Sequence, residues 1–366
     1  MKVGFDSPLP PARTGVADYS AALLEGLRCH GPVRVTPRRA DIRLYHLGNN
    51  QLHRDIYFRA LDKPGVVVLH DAVLQHFFLG ALNETEYVEE FVYNYGEWHR
   101  PLAREMWRGR AGSGFSQRYF AYPMLRRIAE VSRAVIVHNL AAARMVLEHA
   151  PGARVIQIPH LFQAPELPEL ADTLRFRNRL GLSSHNFVFG LFGYLRESKR
   201  VLNVLRAFER IHRARSATAL LIAGDFVSQD LARAAEPYLG HPGVVRLGHL
   251  DDRSFWLAAS AVDLCINLRY PAAGETSGIA LRMMGLGKPV MLTEGDAAAD
   301  FPELACLRIP PGVAEKSSLE EHGILAASFP EIPHEIGRRA AEHVRHYHSL
   351  DRVAGLYWDT LCALCC

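Results

Sequence analysis

The 366-residue sequence predicts an α/β protein made of two doubly wound domains, each with a parallel sheet, facing one another across a cleft. Three observations carry this expectation. Short apolar runs alternate with amphipathic stretches almost throughout, which is the pattern of strands joined by crossover helices. The alternation runs twice, with a proline-containing stretch between the two series. The length is sufficient for two separate hydrophobic cores.

Taken in order, "KVGF" (2–5) reads as the first strand, followed by a loop and the amphipathic "VADYSAALLEGL". "DIRLYHL", "GVVVLH", "AVIVH" and "RVIQIPH" follow as strands, most of them separated by helical patterns. Residues 72–130 interrupt the alternation as a long helical insertion. "LFQAPELPELADTLRFRNRL", with Pro165 and Pro168 and little β-character, reads as the linker. The second series is "FVFGLFGYL" (strand), "RVLNVLRAFERIHRA" (helix), "TALLIAG" (strand), "SQDLARAAEPYL" (helix), "GVVRLG" (strand), "DDRSFWLAASA" (helix), "VDLCINL" (strand), a glycine-rich turn with an apolar helix, and "PVMLTEG" (strand). The expected domains are 1–163 and 178–349.

Composition narrows the function classes. Apolar residues at 49% and charged ones at 22%, without low-complexity tracts, describe a globular chain. A net charge of +3 does not suggest nucleic acid as a partner. No apolar run approaches the roughly 18 residues needed to span a bilayer, and "MKVGFDSPLP" lacks a signal-peptide core, so a cytoplasmic protein is expected. Cys29, Cys265, Cys306, Cys362, Cys365 and Cys366 have no disulfide-framework spacing and read as reduced thiols. Charge is concentrated in residues 100–127, where seven arginines face one acid, Glu105, with Trp107, Phe115, Tyr119, Phe120 and Tyr122 interleaved. On a helix, Arg100, Arg104 and Arg108 form one stripe. It would suit an anionic membrane surface or a phosphate-bearing substrate, and equally a solvated face with aromatics packed beneath.

In doubly wound sheets ligands bind beyond the carboxyl ends of the strands, so the functional residues are expected in the loops there. Gly15, after the first strand, lets backbone approach a ligand. No Gly-x-Gly-x-x-Gly follows that strand and no P-loop occurs, so dinucleotide dehydrogenases and P-loop enzymes lose most of their support. His70 and Asp71 end the "GVVVLH" strand, as ligand contacts or, for Asp71, as a structural cap. Arg196 and Lys199 leave the first strand of the second series, where a guanidinium and an ammonium could share a diphosphate. Most specific is "RYPAAGETSGIALRM": Thr276 or Ser277 can cap the helix, and the N–H groups of Ser277, Gly278 and Ile279 stand at its positive end. Glu275 there is a candidate acceptor for hydroxyls, or a carboxylate complementing the helix dipole. His343, His346 and His348 in "HVRHYH" have no acid or Cys nearby, and no Asp-x-Asp lies between strands, so no metal site is expected.

Together these stretches resemble glycosyltransferase family 4, the retaining nucleotide-sugar transferases of the GT-B fold. The resemblance covers almost the whole chain, through "PLPPARTGVADYSAALL", "VVVLHDAVLQHF", "IVHNLAAARMVLEHAPGARVIQIPH", "FGYLRESKRVLNVLRAFERI", "RYPAAGETSGIALRMMGLGKPV" and "YHSLDRVAGLYWDTL". It implies two Rossmann-like domains, the last helix (350–366) crossing back to the first. By motif match, Arg196 and Lys199 would hold the donor diphosphate. Glu275 would bind the sugar, beside Thr276 and the amides of Ser277, Gly278 and Ile279. His70 would face sugar and acceptor, and Gly15 would lie under the phosphate. Arg246 and Leu247 would lie near the base, and Asp18, Asp71 and His138 on the acceptor side.

Two positions depart from the family pattern. Met283 stands where the second glutamate of Glu-x(7)-Glu would bind ribose, and Tyr194 stands where an arginine often follows the strand-end glycine. The implied chemistry is transfer of a hexose, with retention, from GDP-mannose or a UDP-sugar to a glycan, lipid-linked or small-molecule acceptor, without cofactor or metal. Peripheral attachment to the inner membrane face through 100–127 would fit a lipid-linked acceptor. A GT-B sugar-nucleotide epimerase and a non-catalytic sugar-nucleotide-binding homologue are the alternatives.

Overall fold

The computed structural model describes residues 1–12, 14–114 and 116–365. Phe115 of the basic segment and Cys366 of the tail, both noted above, lie outside the described residues. The chain divides into two compact units, Met1–Gln163 with Pro271–Thr276 and Tyr347–Cys366, and Ala164–Tyr270 with Ser277–His346.

Among the described residues the first unit has a six-stranded parallel sheet. Its strands are β1 (Val3–Asp6), β2 (Val33–Val35), β3 (Ile42–Leu47), β4 (Val66–Leu69), β5 (Ala134–Val137) and β6 (Val155–Gln157), in the order β2-β1-β3-β4-β5-β6. Strands β3, β4 and β5 are buried along their whole length, which is why β4 and β5 read as continuous apolar runs rather than alternating ones, while β3 carries Arg43 and His46 among its apolar residues. Helix Gly15–His30 starts where Thr14, in extended conformation, accepts from the Val16 N–H. Its apolar face meets helix Leu350–Cys365. A Cβ on Gly26 would come within 2.8 Å of the Ala354 Cβ, and the hydroxyls of Tyr19 and Tyr357 are 3.0 Å apart. Val353, Ala354, Tyr357 and Leu361 are wholly buried in one core with Val3, Phe5, Leu23 and Leu27.

Residues 72–130 fold as helices Gln75–Ala81, Glu84–Tyr95, Arg100–Arg108, Gln117–Phe120 and Arg126–Val131. A capping box of Asn83 and Glu86 starts the second of these. Phe77, Phe78, Tyr87, Phe91 and Met106 share a core with Tyr57 and Val67. The arginines of the basic segment are largely engaged: Arg100 pairs with Glu89 and Glu97, Arg118 with Glu105, Arg126 with Glu130 and Arg127 with Glu90. Trp107 lies between Tyr87 and the guanidinium of Arg110.

The second unit has strands β7 (Phe187–Phe192), β8 (Thr218–Ala223), β9 (Val244–Leu247), β10 (Leu264–Asn267), β11 (Val290–Thr293) and β12 (Leu307–Ile309), all parallel, in the order β12-β11-β10-β7-β8-β9. Numbered within the unit, this is the 3-2-1-4-5-6 arrangement of dinucleotide-binding sheets. The stretch expected to link the domains differs from that expectation. Its second half is the helix Leu170–Arg179, and Arg177 of this helix donates to the carbonyls of Ser183 and Asn186 and pairs with Asp263 at 3.6 Å. Those bonds place the helix in the second unit, which begins at Ala164 rather than at 178. The loop 271–276 likewise groups with the first unit, although the expected boundaries put it in the second.

Candidate functional site

In the second unit the strand order reverses between β7 and β10, so the loops leaving these two strands border the crevice in which doubly wound sheets bind ligands. Gly193 follows β7 with φ of +80°, and a Cβ there would lie 3.0 Å from the Nζ of Lys199. Glycine therefore lets the chain turn and leaves room for the ammonium. Lys199 is buried, and its Nζ donates to the carbonyl oxygen of Phe192 at 2.6 Å. Burial holds the Lys199 ammonium well below the ordinary lysine range, and the charges of Arg269 and Arg196 push it further the same way. Cations gathered in this way at a strand end favour an anion.

The loop after β10 supplies the rest. Asn267 donates to the Ser277 Oγ at 2.6 Å, and the Arg269 Nη2 donates to the same oxygen at 3.3 Å. Ser277 is the cap of helix Gly278–Gly285, accepting from the Ala280 N–H. The first N–H groups of such a helix have no partner inside it and carry its positive end. Ile279 lies beside the place where a Gly193 Cβ would stand. Tyr270 donates its N–H to the Ser198 carbonyl at 2.7 Å, tying the two loops together.

Other expected donor-side residues are spread more widely. Arg196 is exposed, with its guanidinium 5.8 Å from the centre of the Tyr194 ring. Arg246 and Leu247 end β9, the edge strand three places from β10, and Arg246 lies over Phe226. Met283 is fully buried in its helix, so that position faces the core of the unit.

Glu275 sits in the loop 271–276 of the first unit, where its Oε2 accepts from the Ala273 N–H at 2.7 Å. The loop is pinned by residues that follow β4 and β5. Ala72 donates its N–H to the Ala273 carbonyl, and the Asn139 Nδ2 donates to the Gly274 carbonyl and to the Thr276 Oγ1, both at 2.9 Å. Asn139 also caps helix Leu140–His149 through its Oδ1. Thr276 is thus an acceptor for Asn139 rather than the helix cap.

Also in the first unit, four histidines at successive strand ends surround the Tyr19 ring. His46 on β3 and His70, His138 and His160 after β4, β5 and β6 have centroids 6.0, 4.8, 5.2 and 4.7 Å from that of Tyr19. His46 Nδ1 and His70 Nε2 are 3.0 Å apart. His138 donates from Nδ1 to the Ile158 carbonyl and His53 to the His46 carbonyl. Burial holds all four of His46, His53, His70 and His138 below the ordinary imidazole range, His53 and His138 at about 4. They are neutral at pH 7. Asp71 accepts from the Asn49 N–H at 2.8 Å, a structural contact, and Asp18 is exposed in the first turn of its helix. Nothing lies within 4 Å of a Cβ built on Gly15, so local packing does not demand glycine there. Asp6, at the end of β1, is held by Arg43 and Arg59.

No family model matches the sequence, and no curated protein matches it. Solved structures do. HepE from Anabaena, in complex with UDP and glucose, is 16% identical, with a TM-score of 0.70 over 99% of this chain and 100% of its own. Sucrose-phosphate synthase from Thermosynechococcus elongatus is 15% identical, with a TM-score of 0.69 over 99% of each chain. WaaG, a glycosyltransferase involved in lipopolysaccharide biosynthesis, is 14% identical, with a TM-score of 0.64 over 98% of this chain and 99% of its own. The fold is GT-B.

Within this GT-B chain, Lys199, Ser277, Gly278 and Ile279 gather at one strand-order reversal, with Arg196 close enough to act on Lys199. His70 and His138 gather at the strand ends of the other sheet, 5.1 Å between centroids. Sequence reasoning missed Asn267, Arg269, Asn139, His46, His160 and Tyr19. A signal for His46 was present, since "YHL" and "VLH" each place a histidine in an apolar strand. Among the described residues no group of three or more His, Cys, Asp or Glu side chains is arranged to hold a metal ion, and no helix is long and apolar enough to cross a membrane.

Proposed function

We propose that the chain is a retaining glycosyltransferase that moves a hexose from a nucleoside-diphosphate sugar to a glycan, lipid-linked or small-molecule acceptor without a metal ion. The observation that carries this reading is the end of β7 and β10, where buried Lys199, Arg269 and the capped start of helix Gly278–Gly285 converge. Such a site suits a diphosphate. The GT-B neighbours lend support: HepE has been crystallised with UDP-glucose, which favours a UDP-sugar over GDP-mannose as the donor.

In this reading negative charge grows on the departing diphosphate. Lys199, Arg196, Arg269 and the first-turn amides stabilise that charge more in the transition state than in the ground state, so leaving-group stabilisation is the main catalytic device. The acceptor attacks from the face the diphosphate leaves, and the diphosphate takes its proton. Glu275 holds sugar hydroxyls, His70 faces the sugar, and Asp18, Asp71 and His138 lie on the acceptor side. Gly15 is assigned to the phosphate and Arg246 and Leu247 to the base. The proposed setting is cytoplasmic. Exposed Arg104 and Arg108 of the basic segment, with the fully exposed Trp98, are the residues with which it would touch an anionic membrane.

One observation favours a second reading. The closed position of Met283 leaves no carboxylate there for ribose, as a non-catalytic sugar-nucleotide-binding homologue would tolerate. The test is a thermal-shift panel of UDP, GDP, UDP-glucose and GDP-mannose, followed by donor turnover with and without oligosaccharide acceptors. A ligand at 100 times its Kd stabilises by about 2.7 kcal/mol. Transferase activity requires both a shift and acceptor-dependent release of the nucleotide. A shift without turnover assigns the binding homologue, conversion without acceptor assigns an epimerase, and no shift with any nucleotide overturns the reading.

A further inference from the structure

His46 and His70 end two neighbouring strands, where the His70 N–H donates to the Leu47 carbonyl at 2.9 Å and draws the two rings together. The rings are near parallel, 23° apart, and His46 Nδ1 faces His70 Nε2 at 3.0 Å. One of these nitrogens carries a proton and the other accepts it. The remaining nitrogen of His46 decides which. His46 Nε2 is sealed from solvent without a hydrogen-bond partner, in a ring packed on Phe5 with centroids 4.8 Å apart. A proton on that nitrogen would be a buried N–H with no acceptor, which folded proteins tolerate less readily than a bare lone pair. His46 therefore carries its proton on Nδ1 and donates it to His70 Nε2. A neutral His70 whose Nε2 accepts must hold its own proton on Nδ1. Burial keeps both rings neutral, and no carboxylate contributes to the balance at either.

We propose that His46 is a positioning residue that fixes His70 as the Nδ1–H tautomer, so that His70 offers a hydrogen-bond donor, rather than a lone pair, to an oxygen of the bound sugar nucleotide. The ligand half of this statement rests on the proposed function; the tautomer half stands without it. His53 does not compete, because its own Nδ1–H is spent on the His46 carbonyl. Tyr19 stands between the rings of His70 and His160 and has its hydroxyl on Tyr357.

The test is nitrogen-15 spectroscopy of the full chain labelled at histidine, in which long-range proton correlations separate protonated from bare ring nitrogens. The His70 signals are assigned by their loss in His70→Gln. The expected result is a protonated Nδ1 and a bare Nε2 on His70 without any ligand. His46→Asn, whose amide N–H replaces the Nδ1–H, should keep that signature, and His46→Phe should move the His70 proton towards Nε2. A protonated Nε2 on wild-type His70, or no change in His46→Phe, overturns the proposal; the wild-type spectrum decides even where a variant fails to fold. UDP-glucose and UDP are the binding probes. His46→Phe should weaken UDP-glucose by about tenfold, a single hydrogen bond, with UDP unchanged and His46→Asn restoring affinity. Equal loss for both probes overturns the ligand half. Failure of UDP-glucose to bind the wild type, with the tautomer as expected, instead counts against a UDP-glucose donor.

Discussion

Lys199 donates from Nζ to the carbonyl oxygen of Phe192 at 2.6 Å, so the cation folds back over the end of the strand it follows. An ammonium has three N–H groups, and this bond uses one. Replacing Lys199 by Met removes a desolvated charge and leaves one carbonyl unpaired, two effects that oppose one another. The melting temperature should therefore stay within a few degrees of wild type. The affinity for UDP, measured by calorimetry, should fall by about ten- to a hundredfold, the worth of a charge-assisted bond. Equal affinity would remove Lys199 from the diphosphate site.

Ser277 accepts from Ala280, Asn267 and Arg269. Ser277→Ala removes a cap worth about 1 kcal/mol and leaves the Asn267 amide short of a partner, so urea unfolding should show a loss of about 1–3 kcal/mol. A loss well under 0.5 kcal/mol would mean that this network contributes nothing to the fold.

Gly274 has φ of +69°, and a Cβ there would come within 2.8 Å of the Ala72 Cβ. Gly274→Ala should cost about 2 kcal/mol through backbone strain and overpacking together. Because Glu275 follows directly, turnover should fall more than stability accounts for at 25 °C. Unchanged turnover in the folded variant would separate Glu275 from the chemistry.

Glu275→Ala and Arg196→Ala should each lower turnover by about a hundredfold or more. They should differ in binding: Arg196→Ala weakens UDP itself, while Glu275→Ala weakens only the sugar nucleotide. Near wild-type turnover in both would sink the site assignment.

The buried histidines of the first unit give a pH dependence with a definite sign. His53 and His138 titrate at about 4 in the folded chain, below the ordinary imidazole value, so the unfolded state binds more protons between those limits. Stability is fully present above about pH 6.5 and falls as pH drops through about 4. His46 and His70 are shifted the same way and add to the loss. Melting temperatures should be flat from pH 7 to 8 and fall steeply from pH 6 to 4, and His138→Asn should flatten that fall. A melting temperature that rises below pH 6 would contradict the buried neutral cluster.

Much of the architecture was readable in one dimension because parallel strands buried on both faces are continuous apolar runs, as in "GVVVLH" and "AVIVH". The loops after strands could be singled out for the same reason, and Lys199 and Ser277 were found there. Arg269 was not. It sits two residues beyond β10, and its relevance depends on β10 lying next to β7, a neighbour relation between strands 75 residues apart in register that local patterning does not encode. His46 was passed over inside "DIRLYHL", since periodicity marks a position as buried without saying what its ring nitrogens face. The helix Leu170–Arg179 was hidden by prolines just before it. Its weakly apolar sequence forms a helix through the bonds that Arg177 makes to Ser183, Asn186 and Asp263.

The helix Leu350–Cys365 packs against Gly15–His30 and supplies four wholly buried residues to the core around β1. About 190 residues separate Gln163 from Val353, so a ribosome adding about 5–20 residues per second needs roughly 10–40 s to deliver the missing face. During that interval the side of the sheet that Tyr357 and Leu361 will cover has nothing to bury it. The unit made first is thus the unit finished last, and its nascent apolar surface is the natural target for a chaperone. A chain ending at 346 should accumulate in aggregates even though every strand of both sheets has been made.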